Sequence, residues 1–351
     1  MERRVRAVRK MSMYRGYRKL YIVAITPFLA ATGLEISKPA IAYYSRYALF
    51  GAGLDIGLIA TGFMLGRTLG ALLLGKVSER FRRIEPLVII ALLGTAFVLV
   101  ALTFAVTVGM VVMLRTLQGV LAGLAWPALQ SALGEKTPLE ERSFMMGFYF
   151  IGGGIGRAAG SGLYTVLNPS YAEAIYISAL LYIVALLPLF WLMRYPRVSE
   201  VRLEKSRGNR ITPPMALIVL SAFAIGYMWG VMSEILIVYI KEVYALGRMQ
   251  VTELLFYGYL IGAGLGLLFG RVSDKVGEHR VIAIGSAVCA LAGLSLMFRM
   301  PYILLVFVIG LLASLYRGLL PVIRGLASKA ERIRRSVSIS NASSSIGAMV
   351  S

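Results

Sequence analysis

The chain has 351 residues, 58% of them hydrophobic and 15% charged, with a mean hydropathy of +0.76 and a formal net charge of +20. A water-soluble domain carries about 45–50% apolar and about 25% charged residues, so an ordinary soluble enzyme or binding module is excluded. The single cysteine, Cys289, and the single histidine, His279, exclude an intrachain disulfide and leave no cluster of ligands for a metal centre.

A basic tail over residues 1–19 comes first, carrying Arg3, Arg4, Arg6, Arg9, Lys10, Arg15, Arg18 and Lys19. The apolar run behind it continues past Ala40 without a small-residue cleavage site, which a signal peptide would have, so it reads as a retained first span. Crossing a bilayer takes about 20 apolar residues. Ten such spans are predicted, near 20–45, 54–74, 86–106, 108–132, 144–167, 171–193, 213–240, 250–270, 280–298 and 301–325. An eleventh begins near Ser336 and has only its first part before Ser351, with no twelfth behind it. The expected class is an all-α integral membrane protein, with a C-terminal truncation expected within span 11.

Charge sets the orientation. The tail and the loops after the even-numbered spans hold 27 of the 37 Lys and Arg residues, against 4 on the other side: Arg46, Lys241, Arg248 and Arg299. Basic loops stay in the cytoplasm, which places the N-terminus there in the cytoplasmic membrane. The same bias accounts for most of the net charge without any nucleic acid, and it predicts contact with anionic lipid headgroups.

The polar stretch 194–212 reads as a cytoplasmic linker between an N-terminal six-helix bundle, 20–193, and a C-terminal bundle, 213–351, which is incomplete. The two halves repeat at an offset near 195. Gly75–Arg83 aligns with Gly270–Glu278, and Pro127 aligns with Pro321 at 194. Six spans separate the copies, so both halves have the same orientation about an axis along the membrane normal. Gly62, Gly66 and Gly70, then Gly152, Gly156 and Gly160, then Gly258, Gly262, Gly266 and Gly270 recur every four residues, a spacing that permits close helix contact in lipid. Gly154-Ile-Gly156 and Gly262-Ala-Gly264-Leu-Gly266 mimic nucleotide fingerprints, but they lie inside spans rather than at a strand–helix turn.

The loop Gly75-Lys-Val-Ser-Glu79-Arg80-Phe-Arg82-Arg83 and its copy Gly270-Arg-Val-Ser-Asp274-Lys275-Val-Gly277-Glu278, with Arg115-Thr-Leu-Gln118-Gly119 and Trp126-Pro127 in span 4, resemble the major facilitator superfamily. The resemblance covers the whole chain. It implies two pseudo-symmetric six-helix bundles around a cavity lined by spans 1, 4, 7 and 10, exposed to each side in turn as the bundles rock. It also implies that Gly75, Glu79, Arg80, Arg83, Gly270, Asp274, Lys275 and Gly277 form a cytoplasmic latch. Glu79 is expected to meet the start of span 11, near Ser336–Ser340, and Asp274 to meet span 5.

Charges inside a bilayer cost about 2.5–3.5 kcal/mol each on insertion scales, so every one marks a candidate. Glu35 and Lys38 share a face of span 1 and are expected to pair. Arg67, Arg115, Arg157, Glu234, Arg317 and Arg324 follow in later spans. Arg324 is expected to snorkel to the cytoplasmic edge, and Arg157 has a second reading as a packing residue. Gln118, Trp126, Tyr227, Trp229, Tyr43 and Tyr316 are polar and aromatic candidates for solute contact. Arginines outnumber acids, which favours an anionic or carboxylate-bearing solute. Glu35 and Glu234, the deepest acids, are candidates to carry a proton.

The expectation is a monomeric secondary transporter of a small solute, coupled to protons and without a cofactor. A multidrug or metabolite efflux antiporter and a non-transporting membrane sensor share the fold and stay open. A membrane-embedded hydrolase lacks its ligands.

Overall fold

A computed structural model describes residues 22–81, 83–138, 142–194, 213–230, 234–276, 278–329 and 333–350. Within them the side chains of Glu79, Asp274, Lys275, Tyr316 and Arg317, among others, are not described. Arg82, Gly277, residues 1–19 and nearly all of the linker 194–212 lie outside the described residues.

Apolar composition makes each span a helix, because a backbone in lipid must satisfy its own hydrogen bonds. Numbered by span, the helices are α1 (Ile25–Tyr43), α2 (Gly53–Val77), α3 (Glu85–Leu102), α4 (Val108–Lys136) and α5 (Arg142–Leu167). Next come α6a (Tyr171–Val184) and α6b (Leu187–Met193), then α7a (Pro213–Gly230) and α7b (Glu234–Val243). α8 (Arg248–Val276), α9 (Glu278–Ser295), α10 (Tyr302–Lys329) and α11 (Ile333–Val350) complete the set. No strand occurs among the described residues. Among the described residues, five stretches are both long and apolar enough to cross a membrane: Gly53–Val77, Glu85–Leu102, Val108–Lys136, Tyr171–Met193 and Tyr302–Leu320. Several of the others carry the buried charges that define the site.

Helix starts follow local chemistry. Ser170 and Glu173 form a capping box at α6a: Ser170 N–H donates to Glu173 Oε2 at 2.8 Å, and Glu173 N–H donates to Ser170 Oγ at 3.3 Å. Asp55 accepts from Ala52 N–H at 2.8 Å in the first turn of α2. α4 extends to Lys136, beyond the apolar run that ends near 132, because Glu135 and Lys136 are good helix formers. Hydropathy marks the bilayer, not the end of the hydrogen-bonded ladder.

Packing repeats with the sequence. α2 runs along α4, as α8 does along α10; α1 pairs with α5, as α7a does with α11. The most extensive contacts between the sets are α2 with α11 and α5 with α8, and six-helix rotation converts one into the other. Side chains 195 residues apart perform matching tasks. Tyr44 Oη donates to the Ala105 carbonyl at the end of α3 at 3.0 Å, and Tyr239 Oη donates to the Leu296 carbonyl at the end of α9 at 2.8 Å. Phe50 and Ala245 both take the left-handed backbone that ends a helix, with φ of 55° and 52°.

Glycines set the α2–α4 distance. A Cβ on Gly66 would overlap the Thr116 carbonyl and the Val120 amide, and one on Gly119 would overlap the Phe63 carbonyl. Backbone lies on both sides of the contact, so neither helix can yield. Gly66→Val is therefore expected to part α2 from α4 and to cost more than the 1–3 kcal/mol typical of overpacking. The measurement is recovery of monodisperse protein by size-exclusion chromatography. Gly147→Ala, at a position with nothing within 4 Å of the new Cβ, should behave as the wild type.

Candidate functional site

A cavity of about 120 Å³ lies between the two sets of helices. α1, α4, α7 and α10 contribute Lys38, Arg115, Trp126, Trp229, Glu234 and Leu320 to its wall. α2, α5 and α11 contribute as well, through Phe63, Arg67, Tyr149, Phe150, Arg157 and Asn341. The wall therefore draws on more helices than the four expected.

Its polar lining is strongly biased. Lys38, Arg67, Arg115 and Arg157 face the cavity together with one acid, Glu234. Arg115 is 1% exposed and Glu234 is 4% exposed, and the two form an ion pair that joins α4 to α7b. Arg115 also donates to Gln118 Oε1 at 2.6 Å and lies 4.5 Å over the Phe63 ring. Gln118 thus acts from behind the guanidinium and does not line the wall.

Glu35 has a partner that helical spacing did not give: it forms an ion pair with Arg157 on α5. Its carboxylate also accepts from Tyr259 Oη at 3.5 Å. Side chains three apart on a helix are neighbours, but Lys38 is long and turns toward Trp229, lying 5.9 Å from the ring centroid. Arg157, 4.2 Å over the same ring, is a cavity residue rather than packing.

Tyr227, expected at the site, is 41% exposed and absent from the wall; Trp229, two residues on, takes the inward direction. Arg324 does not snorkel. It is 0% exposed and donates to Ser340 Oγ and, at 2.8 Å, to Ser344 Oγ on α11. The serine-rich face of α11 gives its guanidinium hydroxyl partners inside the bundle, so it has no need to reach the edge. Arg317 and Tyr316 lie outside the described side chains.

Contacts between the halves close both ends. On the face with the basic loops, Arg334 of α11 pairs with Glu135 of α4 at 2.5 and 3.2 Å. Its Nη1 also donates to the Ser78 and Phe81 carbonyls at 2.5 and 2.7 Å. A Cβ on Gly75 would lie 3.4 Å from Ser338, and Asn341 donates to Gln130 at 3.0 Å. The first loop thus meets α11 through its backbone and Arg334. The Glu79 side chain is not described, and Arg80 and Arg83 are exposed. In the second loop, the side chains of Asp274 and Lys275 are not described and Gly277 lies outside the described residues; Gly270 has its backbone in α8, but its surroundings are not described.

On the opposite face Arg46 meets Glu242 at 2.8 Å, and Lys241 lies 4.0 Å from the Tyr47 ring centroid. Positions 46 and 47 are the 195-offset equivalents of 241 and 242, so this clasp is a reciprocal pair about the pseudo-axis. Arg248 donates to Tyr164 Oη at 2.6 Å, and Thr165 donates to Thr252 Oγ1 at 2.8 Å. Sequence reasoning missed the clasp and Glu135–Arg334. The 195 offset carried the signal for the first, since Arg46 and Lys241 align.

Comparison with known proteins agrees with this architecture. The family model described as Major Facilitator Superfamily matches residues 23–351. A gallate transporter of Pseudomonas putida is 31% identical over 161 residues, which is 46% of this chain and 36% of the relative. The 4-hydroxybenzoate transporter PcaK of the same organism is 27% identical over 59% of this chain and 48% of its own length. The multidrug resistance efflux pump PmrA of Streptococcus pneumoniae is 24% identical over 75% of this chain and 66% of its own. The matched regions thus span between about a third and two thirds of these relatives. In fold, the chain resembles the nucleoside transporter NupG (TM-score 0.66, 12% identity, covering 94% of this chain and 90% of that one). It equally resembles a bacterial homologue of the human lysosomal transporter Spinster in an inward-facing, occupied conformation (TM-score 0.66, 14% identity, covering 95% and 81%). With the family model matched across nearly the whole chain and the same helical fold in solved members, this integral membrane protein belongs to the major facilitator superfamily.

Proposed function

We propose that the chain moves a small aromatic carboxylate across the cytoplasmic membrane by alternating access, as a monomer coupled to protons, and that it is not an enzyme. The observation that carries this reading is the makeup of the cavity wall. Four basic side chains stand against one acid, and Phe63, Trp126, Phe150 and Trp229 surround them. Arg115 and Arg157 are paired with Glu234 and Glu35, and guanidinium and ammonium groups grouped in one wall can also receive the carboxylate of a solute. Aromatic walls favour a flat, apolar body behind that anion. Gallate and 4-hydroxybenzoate, named for two of the relatives, have this form. The Lys/Arg bias puts the N-terminus and the Glu135–Arg334 face in the cytoplasm, where the basic loops meet anionic lipid.

The test is thermal stability of the purified protein with benzoate, hydroxybenzoates, acetate, sugars and cationic drugs. A ligand of the folded state raises the melting temperature with its concentration. Aromatic carboxylates should do so more than acetate does. Stabilisation by cationic drugs alone overturns the reading.

A further inference from the structure

We infer that Glu234, and not Glu35, is the acid that couples proton movement to the solute, by competing with the solute's carboxylate for Arg115. The inference rests on the carboxylate reading above and adds the residue and the order of events.

Both acids are buried beside a guanidinium, so burial does not separate them. Topology does. Glu35 on α1 pairs with Arg157 on α5, and these helices pack together within one half. Rocking the halves leaves that pair intact. Its contact across the halves, from Tyr259 at 3.5 Å, is long and neutral. Glu234 on α7b pairs with Arg115 on α4, in the other half. That pair cannot survive separation of the halves. An acid can bind a proton in one state and release it in another only if its surroundings differ between the two. Glu234 meets this condition through its ion pair, and Glu35 does not.

Position supports the same choice. Glu234 lines the cavity and Glu35 does not. Among the described residues, the other charged groups that face Glu234 are Lys38, coupled through space to both acids, and Arg67 and Arg157 in the same wall. These belong to α1, α2 and α5, and so to the half that carries Arg115. Opening therefore withdraws the cations from Glu234 together. Arg115 meanwhile keeps Gln118 at 2.6 Å and the Phe63 ring at 4.5 Å, both in its own half.

The cycle balances without changing any covalent bond in the solute. An incoming carboxylate takes the Arg115 N–H groups that Glu234 held. The released Glu234 carboxylate takes one proton from water on the open side. After reorientation the solute leaves, Glu234 gives up the proton and returns to Arg115. One proton accompanies each carboxylate.

A solute-free test separates this inference from the identity of the solute. In the full chain with Cys289→Ser, spin labels at Arg83→Cys and Arg280→Cys, both at exposed positions, report the distance between the halves as pH is varied in liposomes. The wild-type background and Glu35→Gln should shift with pH together, and Glu234→Gln should not shift. If Glu234→Gln alone does not fold, Arg115→Gln with Glu234→Gln, which removes both charges, should be equally insensitive to pH. A pH response that persists without Glu234, or one that disappears in Glu35→Gln, overturns the inference. With benzoate, Glu234→Gln should keep exchange between the two sides of the membrane and lose accumulation driven by a pH gradient by roughly tenfold or more, within the usual range of a coupling interaction. If no carboxylate is exchanged but the pH response still depends on Glu234, the solute class is wrong and the coupling residue stands.

Discussion

Arg115→Ala is expected to abolish transport and to lower stability by about 3–5 kcal/mol, the cost of removing one partner of a buried ion pair. The guanidinium is 1% exposed and serves three neighbours: Glu234, Gln118 Oε1 at 2.6 Å and the Phe63 ring at 4.5 Å. Alanine removes these contacts and leaves the Glu234 carboxylate in the wall without its guanidinium. Stability and function should separate in a double variant. Arg115→Met with Glu234→Met replaces the pair by apolar groups of similar length, a change that is often neutral or stabilising. Melting temperature in detergent should recover most of the loss, while flux of a radiolabelled carboxylate into vesicles should stay at background. Recovered flux would show that Arg115 is structural and that the anion is held elsewhere.

That ion pair also shows how far the sequence could be read. The helices and their twofold repetition were legible because each rests on a local signal: an apolar run of bilayer length, a basic loop, or a motif repeated 195 residues on. Charge inside a span was equally visible, and Lys38, Arg67, Arg115, Arg157 and Glu234 all reach the cavity wall. Partners were not legible. Hydropathy gives the depth of a charge, but its partner depends on which way the helix is turned and on which helix lies opposite. Arg115 and Glu234 are 119 residues apart, and Glu135 and Arg334 are 199 apart. Helical spacing put Glu35 near Lys38, but its ion-pair partner on another helix, Arg157, was beyond the reach of spacing. Arg324 was sent to the edge for the same reason, since the serines that receive it belong to α11. Tyr227 and Trp229 differ by two positions, which turns a helix through more than half a circle, and only the second faces inward.

The two ends of the pathway are held by unequal contacts, which leads to the other large effect. Arg334 and Glu135 have side-chain exposures of 5% and 1%, and Arg334 also satisfies the Ser78 and Phe81 carbonyls. Charge-assisted bonds of this kind, shielded from water, are the strong ones. Arg46 and Glu242, with exposures of 31% and 41%, form a surface pair worth about 0–1 kcal/mol. The latch on the face of the basic loops therefore dominates, and its removal should release that end. Arg334→Ala removes the guanidinium that bridges α11 to both α4 and the loop after α2. A loss of about 3 kcal/mol changes a two-state ratio by roughly a hundredfold. In a Cys289→Ser background, Gln130→Cys lies just inside the latch and should become reactive to a polar maleimide added from the side of the basic loops. Glu242→Gln, which weakens only the outer clasp, should leave that reactivity near its starting value. Equal responses to the two substitutions would mean that the buried pair does not hold this end closed, and that the gate depends instead on the α2–α11 packing itself.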